Sequence, residues 1–205
     1  MVKSTLLWFI LGTWGYLLNL RLSSRILKNE CINYNEDKLK KLSLLYSLVN
    51  IILIYSLFKN KAYLGIDEVA IDIINIYMLS IAASLDLMIM EVETDFLRFV
   101  LLVSILSTRR VNIVTSSLNA LITYMQLYIV YQLSGGSIGG ADVRILTILS
   151  FGYGWIWAIL ILTSAAWICL LWTLLSCFIK KRKRYKEIAF VPYIYLAYIF
   201  LIYRI

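Results

Sequence analysis

Eight apolar segments, near residues 4–20, 43–58, 69–86, 96–107, 111–133, 143–153, 154–179 and 188–203, leave this chain almost no room for a water-soluble core. A helix that crosses a bilayer needs roughly 20 predominantly apolar residues, and several of these runs approach that length. Backbone N–H and C=O groups find no water among lipid tails, so such runs close their own hydrogen bonds as helices. Composition agrees: 61% of residues are hydrophobic, 16% are charged and His is absent, unlike a soluble domain. The expectation is an all-α polytopic membrane bundle of six to eight transmembrane segments, forming one domain over residues 1–205. The fourth and sixth segments are too short to cross upright at about 1.5 Å per residue. They tilt, stay covered by protein, or continue into their neighbours, the sixth through "FGYGW". The opening run "STLLWFILGTWGYLLNL" lacks a small-residue cleavage site and leads straight to Arg21, so it reads as a retained helix.

Charge placement orients such a bundle, because Lys and Arg are retained on the cytoplasmic side. With eight crossings, residues 21–42, 87–98, 134–144 and 180–187 share one face and carry 14 Lys and Arg, against 6 on the other. The expected topology therefore has the N-terminus outside and residues 21–42 as a short first cytoplasmic loop. A basic rim beside anionic lipid accounts for the net charge of +8, and no nucleic-acid partner is expected.

Against this apolar background two acids stand out. Asp142 follows two glycines in "SIGGADVRIL", and Asp86 closes the apolar run of "DIINIYMLSIAASLDLMIM". Both fall at the cytoplasmic boundary of the expected topology. Asp72, 14 residues before Asp86 and roughly 21 Å up the same helix, does not. An ionisable residue within a membrane helix is costly and is by default a functional candidate, although an acid at a helix end often only reaches the headgroups. Two carboxylates held together in a partly dry site tend to share one proton. One then acts as base and the other as acid, which is what activating water against a peptide carbonyl requires. Gly139 and Gly140 lack Cβ atoms and so allow close approach, or a turn that most residues resist. Irregular backbone at that depth needs cover from protein or a water-filled cavity.

These residues resemble the type IV prepilin peptidases and their archaeal relatives that process preflagellins, membrane aspartic proteases with a glycine-x-glycine-aspartate signature. Here "GGAD" has Ala141 in the third place, closer to the archaeal form. "ILGTWGYLLNLRLSSRI", with Asn19 and Arg21, looks like the family's first helix. "SLDLMIMEVETDFL" looks like the segment with the first catalytic aspartate, and "SIGGADVRIL", with Arg144 and Leu146 after the acid, like that with the second. "IAFVPYIYLAY" retains Phe190 and Pro192 of the closing pattern. The resemblance implies Asp86 and Asp142 as catalytic residues, Gly139, Gly140 and Ala141 as their backbone support, and no cofactor. It also implies prepilin-like or archaellin precursors as partners, whose basic leaders would meet Glu91, Glu93 and Asp95 near Asp86.

The departures from the family are specific. Where bacterial members commonly carry Pro–Asp after the first aspartate, this chain has Glu93 and Thr94, with Asp95 one further on. Residues 21–42 hold Cys31 alone, whereas a structural zinc site of the kind found in many bacterial relatives needs four ligands, so a peptidase without a methyltransferase-type insertion is expected. Cys169 and Cys177 sit eight residues apart, about 12 Å along one helix and too far to bridge. No metal site is expected, and Trp155, Trp157, Trp167 and Trp172 read as interface anchors and packing. Two other classes stay open. A presenilin or signal-peptide-peptidase type of intramembrane protease shares the glycine–aspartate logic, but its Tyr–Asp and Pro-Ala-Leu motifs are absent. A small transporter or assembly protein would use the same acids without proteolysis.

Overall fold

The computed structural model describes the chain apart from residues 1, 30–33, 61–65, 91, 93–95, 99–100, 102–104, 106–111, 134–137, 181–187 and 203–205, and apart from the side chains of 2–13, 29, 58–60, 66–71 and 179–180. Most of the described residues are helical, with no strand among them. Seven long helices run in order: α1 Val2–Asn29, α2 Glu36–Asn60, α3 Ile66–Ile89, α4 Ile113–Leu133, α5 Gly140–Tyr153, α6 Trp155–Lys180 and α7 Val191–Ile202. Residues 96–98, 101 and 105 are helical as well. The chain divides into two compact units, Met1–Ile89 and Met90–Ile205.

In the first unit α1, α2 and α3 pack on one another. α1 continues to Asn29 and α2 begins at Glu36, so much of the expected loop 21–42 is helix. The reason lies in the periodicity: Asn19, Ser23 and Leu27 are buried at four-residue spacing while Arg21, Arg25 and Lys28 stay exposed, which keeps one face packed beyond the apolar run. Asn35 starts α2 by accepting the Lys38 N–H on its side-chain oxygen at 3.1 Å, as an N-cap residue does. Polar side chains link the three helices inside the unit. The Asn19 side-chain oxygen accepts from Ser23 and from Ser43 of α2, each at 3.3 Å, and Asn50 of α2 donates to Ser80 of α3 at 3.2 Å. Gly15 lets α1 approach α3 so closely that a Cβ there would overlap the Tyr77 ring.

In the second unit α5 packs against α4 and α6, and α7 against α6. α4 touches its neighbours along a narrow stripe of Ser116, Thr123 and Leu127, and Ser150 of α5 donates to the Asn119 carbonyl at 3.2 Å. α6 presents the small residues Ala158 and Ala165 with Ile161 as its buried stripe, a pattern that allows close helix contact in lipid. The "FGYGW" stretch is a break: Gly154 has φ +97 and ends α5, so α5 and α6 are separate helices. A left-handed residue at this point is readily tolerated only as glycine. The Tyr153 and Tyr198 hydroxyls meet at 2.8 Å, tying the end of α5 to α7. Pro192 sits in the first turn of α7, where its missing N–H costs nothing.

Polarity is inverted relative to a water-soluble protein. Asn19, Asn50, Asp72, Asn75, Asp86 and Asp142 are buried, while Leu48, Ile52, Leu133, Trp167, Trp172 and Phe178 are exposed. Among the described residues four helices are long and apolar enough to cross a membrane, over Glu36–Leu57, Asp72–Ile89, Ile113–Leu133 and Trp155–Phe178.

Candidate functional site

Asp86 lies in the last turn of α3 and is 6% exposed. Its helix is enclosed on every side from Met78 to Asp86, because Ile81, Ala82, Ala83 and Leu85 are all buried with it. Ser80 and Ser84 turn their hydroxyls back to the carbonyls of Tyr77 and Ser80, at 2.8 and 2.9 Å. Their polarity is thus satisfied within the helix. Just beyond Asp86, the ammonium of Lys38 donates to the Leu87 carbonyl at 3.1 Å. Met90 then takes φ +58, the left-handed conformation that commonly ends a helix but that usually falls to glycine.

Asp72 shares α3 with Asp86 and is buried more completely, at 2% exposure. The two are 14 residues apart, so about 21 Å of helix separates them. They occupy different levels of the first unit and belong to no common site.

Asp142 occupies the first turn of α5 and is 7% exposed. The Gly139 carbonyl starts the helix by accepting the N–H groups of Asp142 and Val143 at 3.1 and 3.3 Å. The two glycines are not equivalent. Gly139 has φ −63 and ψ 135, a conformation open to any residue, so the expected special turn is absent there. What Gly139 supplies is space: a Cβ on it would stand 2.8 Å from a carboxylate oxygen of Asp142. Gly140 is the first helical residue, and a Cβ on it would meet nothing within 4 Å. Ala141 is half-buried. The backbone around "GGAD" is therefore a regular helix start and not an irregular loop. Arg144 is exposed and Leu146 buried on the same helix.

The electrostatic settings of the two acids differ. A helix N-terminus carries about half a positive elementary charge and its C-terminus about half a negative one. Asp142 sits at the former and Asp86 at the latter. Glu91, Glu93, Asp95 and Cys31 lie outside the described residues. Cys169 and Cys177 are free thiols on α6, and among the described residues no cluster of three Cys, Asp or Glu could hold a metal ion.

Sequence patterns drew attention to the acids but not to Lys38, Met90 or the unequal glycines. Lys38 carried one available signal, its position three residues after the capping Asn35. Met90 carried none, since methionine has no preference for a left-handed cap. No family model, curated protein or solved structure matches this chain.

Proposed function

We propose that this chain is a membrane aspartic endopeptidase that removes the short basic leader from prepilin-like or preflagellin precursors at the cytoplasmic membrane face. The observation that carries the reading is the Asp142 setting: a buried carboxylate at the start of α5, folded over a Gly139 that leaves it room. A second buried carboxylate, Asp86, ends the apolar α3. Asp86 belongs to the first unit and Asp142 to the second, and the reading requires that catalysis bring the two carboxyls together on one shared proton. One carboxylate acts as the base that takes a proton from water, and the other carboxyl acts as the acid. The proton of that acid reaches the leaving amide nitrogen. Attack by the water oxygen on the carbonyl carbon and loss of that nitrogen complete hydrolysis without a cofactor.

The wider reading follows the charge asymmetry. The basic face is cytoplasmic, the N-terminus is outside, and both aspartates serve the cytoplasmic side of a single domain with six to eight crossings. Glu91, Glu93 and Asp95 attract the leader's lysines and arginines. The enzyme stops at cleavage, since a single cysteine near its first inter-helix connection cannot build a four-ligand zinc module.

The burial of Asp72 favours one competing reading, a small transporter that moves protons through the acids of α3. Liposomes that contain only this protein and a precursor with a class III signal separate the two. A peptidase releases the mature subunit there, whereas a transporter leaves the precursor intact and changes the internal pH.

A further inference from the structure

The first unit carries a groove that the peptidase reading does not use. It is an open cleft of about 290 Å³ between α1 and α2, lined by Tyr16, Lys40, Lys41, Leu44, Leu45 and Leu48. Its polarity changes along one direction. Lys40 and Lys41 stand at the start of the apolar span Glu36–Leu57, and Leu44, Leu45 and Leu48 follow, all three exposed. Ile52 and Tyr55, also exposed, continue the same face of α2 at three- and four-residue steps. From Leu44 to Tyr55 this apolar strip runs about 16 Å, which is close to half of a hydrocarbon core roughly 30 Å thick. Its length is that of one leaflet.

The three lysines of this turn divide their work. Lys38 is engaged with the Leu87 carbonyl. Among the described residues Lys40 has one ion pair, a 3.9 Å pairing with the exposed Asp37, a contact of the kind that contributes little and is readily exchanged for a stronger anion. Lys41 makes no ion pair with any described residue. Two ammonium groups at the membrane boundary, above a leaflet-length aliphatic strip, complement a molecule with an anionic head and an acyl tail.

We propose that the α1–α2 groove is a binding site for an anionic glycerophospholipid of the cytoplasmic leaflet. Lys40 and Lys41 hold its phosphate, and one acyl chain lies along Leu44, Leu48 and Ile52. The proposal rests on the cytoplasmic placement of this end of α2 but not on catalysis, and its test is independent of peptidase activity.

The test is native mass spectrometry of the protein purified in neutral detergent and titrated with phosphatidylglycerol or with phosphatidylcholine of the same chains. The wild type retains phosphatidylglycerol in preference. K40Q/K41Q lowers that affinity about tenfold or more, because each basic residue near an anionic lipid contributes substantially, and K40R/K41R retains it. L48W, which keeps both charges and fills the strip, weakens retention as well. R25Q/K28Q removes two exposed charges of α1 outside the groove and leaves retention unchanged, as does Asp142→Asn. Equal retention of the two lipids, equal loss in both double-charge variants, or unaltered binding in L48W would each overturn the site. Displacement of the lipid by millimolar inorganic phosphate alone would reduce it to an anion site and refute the acyl-chain assignment.

Discussion

Lys38 and Leu87 join the beginning of α2 to the end of α3: the Lys38 ammonium donates to the Leu87 carbonyl at 3.1 Å, one residue beyond Asp86. Carbonyls in the last turn of a helix have no partner within it, and a cation there also meets the negative end of the dipole. The contact is exposed, so its contribution to stability is about 1 kcal/mol.

Replacing Lys38 by Met removes this donor and keeps the aliphatic stem. The expected result is a fall in thermal midpoint of about 2–4 °C, the usual equivalent of 1 kcal/mol in a chain of this size, with Lys38→Arg close to wild type. A scan of the three proteins in detergent checks it. An unchanged midpoint for Lys38→Met would show that the α3 end is held by other contacts.

Met90 ends α3 at φ +58, a conformation that costs a side-chain-bearing residue about 1–2 kcal/mol. Met90→Gly relieves that cost, while Met90→Val, whose branched Cβ tolerates positive φ poorly, increases it. The glycine variant should therefore melt above the wild type or level with it, and the valine variant clearly below. Glycine also lowers rigidity in the unfolded chain, which offsets part of the gain and makes the valine the more decisive member of the pair.

Gly139 and Gly140 should respond differently to alanine. A Cβ at 139 displaces the Asp142 carboxylate, whereas one at 140 enters open space. Gly139→Ala is expected to reduce leader cleavage by roughly 100-fold, the order expected when a reacting group moves by about 1 Å, with normal membrane insertion. Gly140→Ala should cleave at near wild-type rate and gain slightly in helix stability. Equal effects at the two positions would show that Gly139 does not act through Asp142.

Asp72→Asn serves as the depth control. Asp72 is as buried as the proposed catalytic acids but about 21 Å along α3 from Asp86, and Asn keeps its shape. Cleavage by this variant should stay within a few-fold of wild type, measured at equal amounts of inserted protein. Loss as deep as that of the Asp86 variant would bring Asp72 into the mechanism and favour the ion-transport reading.

The helices were legible because lipid-facing segments are apolar on long runs, and seven of the eight apolar segments correspond to the long described helices. The ends were less legible. α1 runs past its apolar stretch because Ser23 and Leu27 continue a buried face among arginines, a pattern that hydropathy alone reads as a loop. Gly154 gave the opposite difficulty, since "FGYGW" fits both a continuous helix and a break, and only the left-handed φ of that glycine decides it. At the candidate site, residue types pointed to Asp86 and Asp142 and both are buried. Which glycine matters could not be read from "GGAD", because the distinction is a distance from a built Cβ to a folded-back carboxylate. Interhelical links such as Asn50–Ser80 escaped notice for a similar reason: each partner alone is an unremarkable polar residue in an apolar run.

The central claim is that Asp86 and Asp142 together hydrolyse a peptide bond. Its most direct measurement is cleavage of a prepilin-like precursor by purified wild type, Asp86→Asn and Asp142→Asn in liposomes, with insertion of each protein quantified in the same vesicles. The wild type should release the mature subunit, and each Asn variant should fall by about 100-fold or more, the scale of a lost general acid or base. Substantial processing by either variant, or an intact precursor beside fully inserted wild type, would contradict the account.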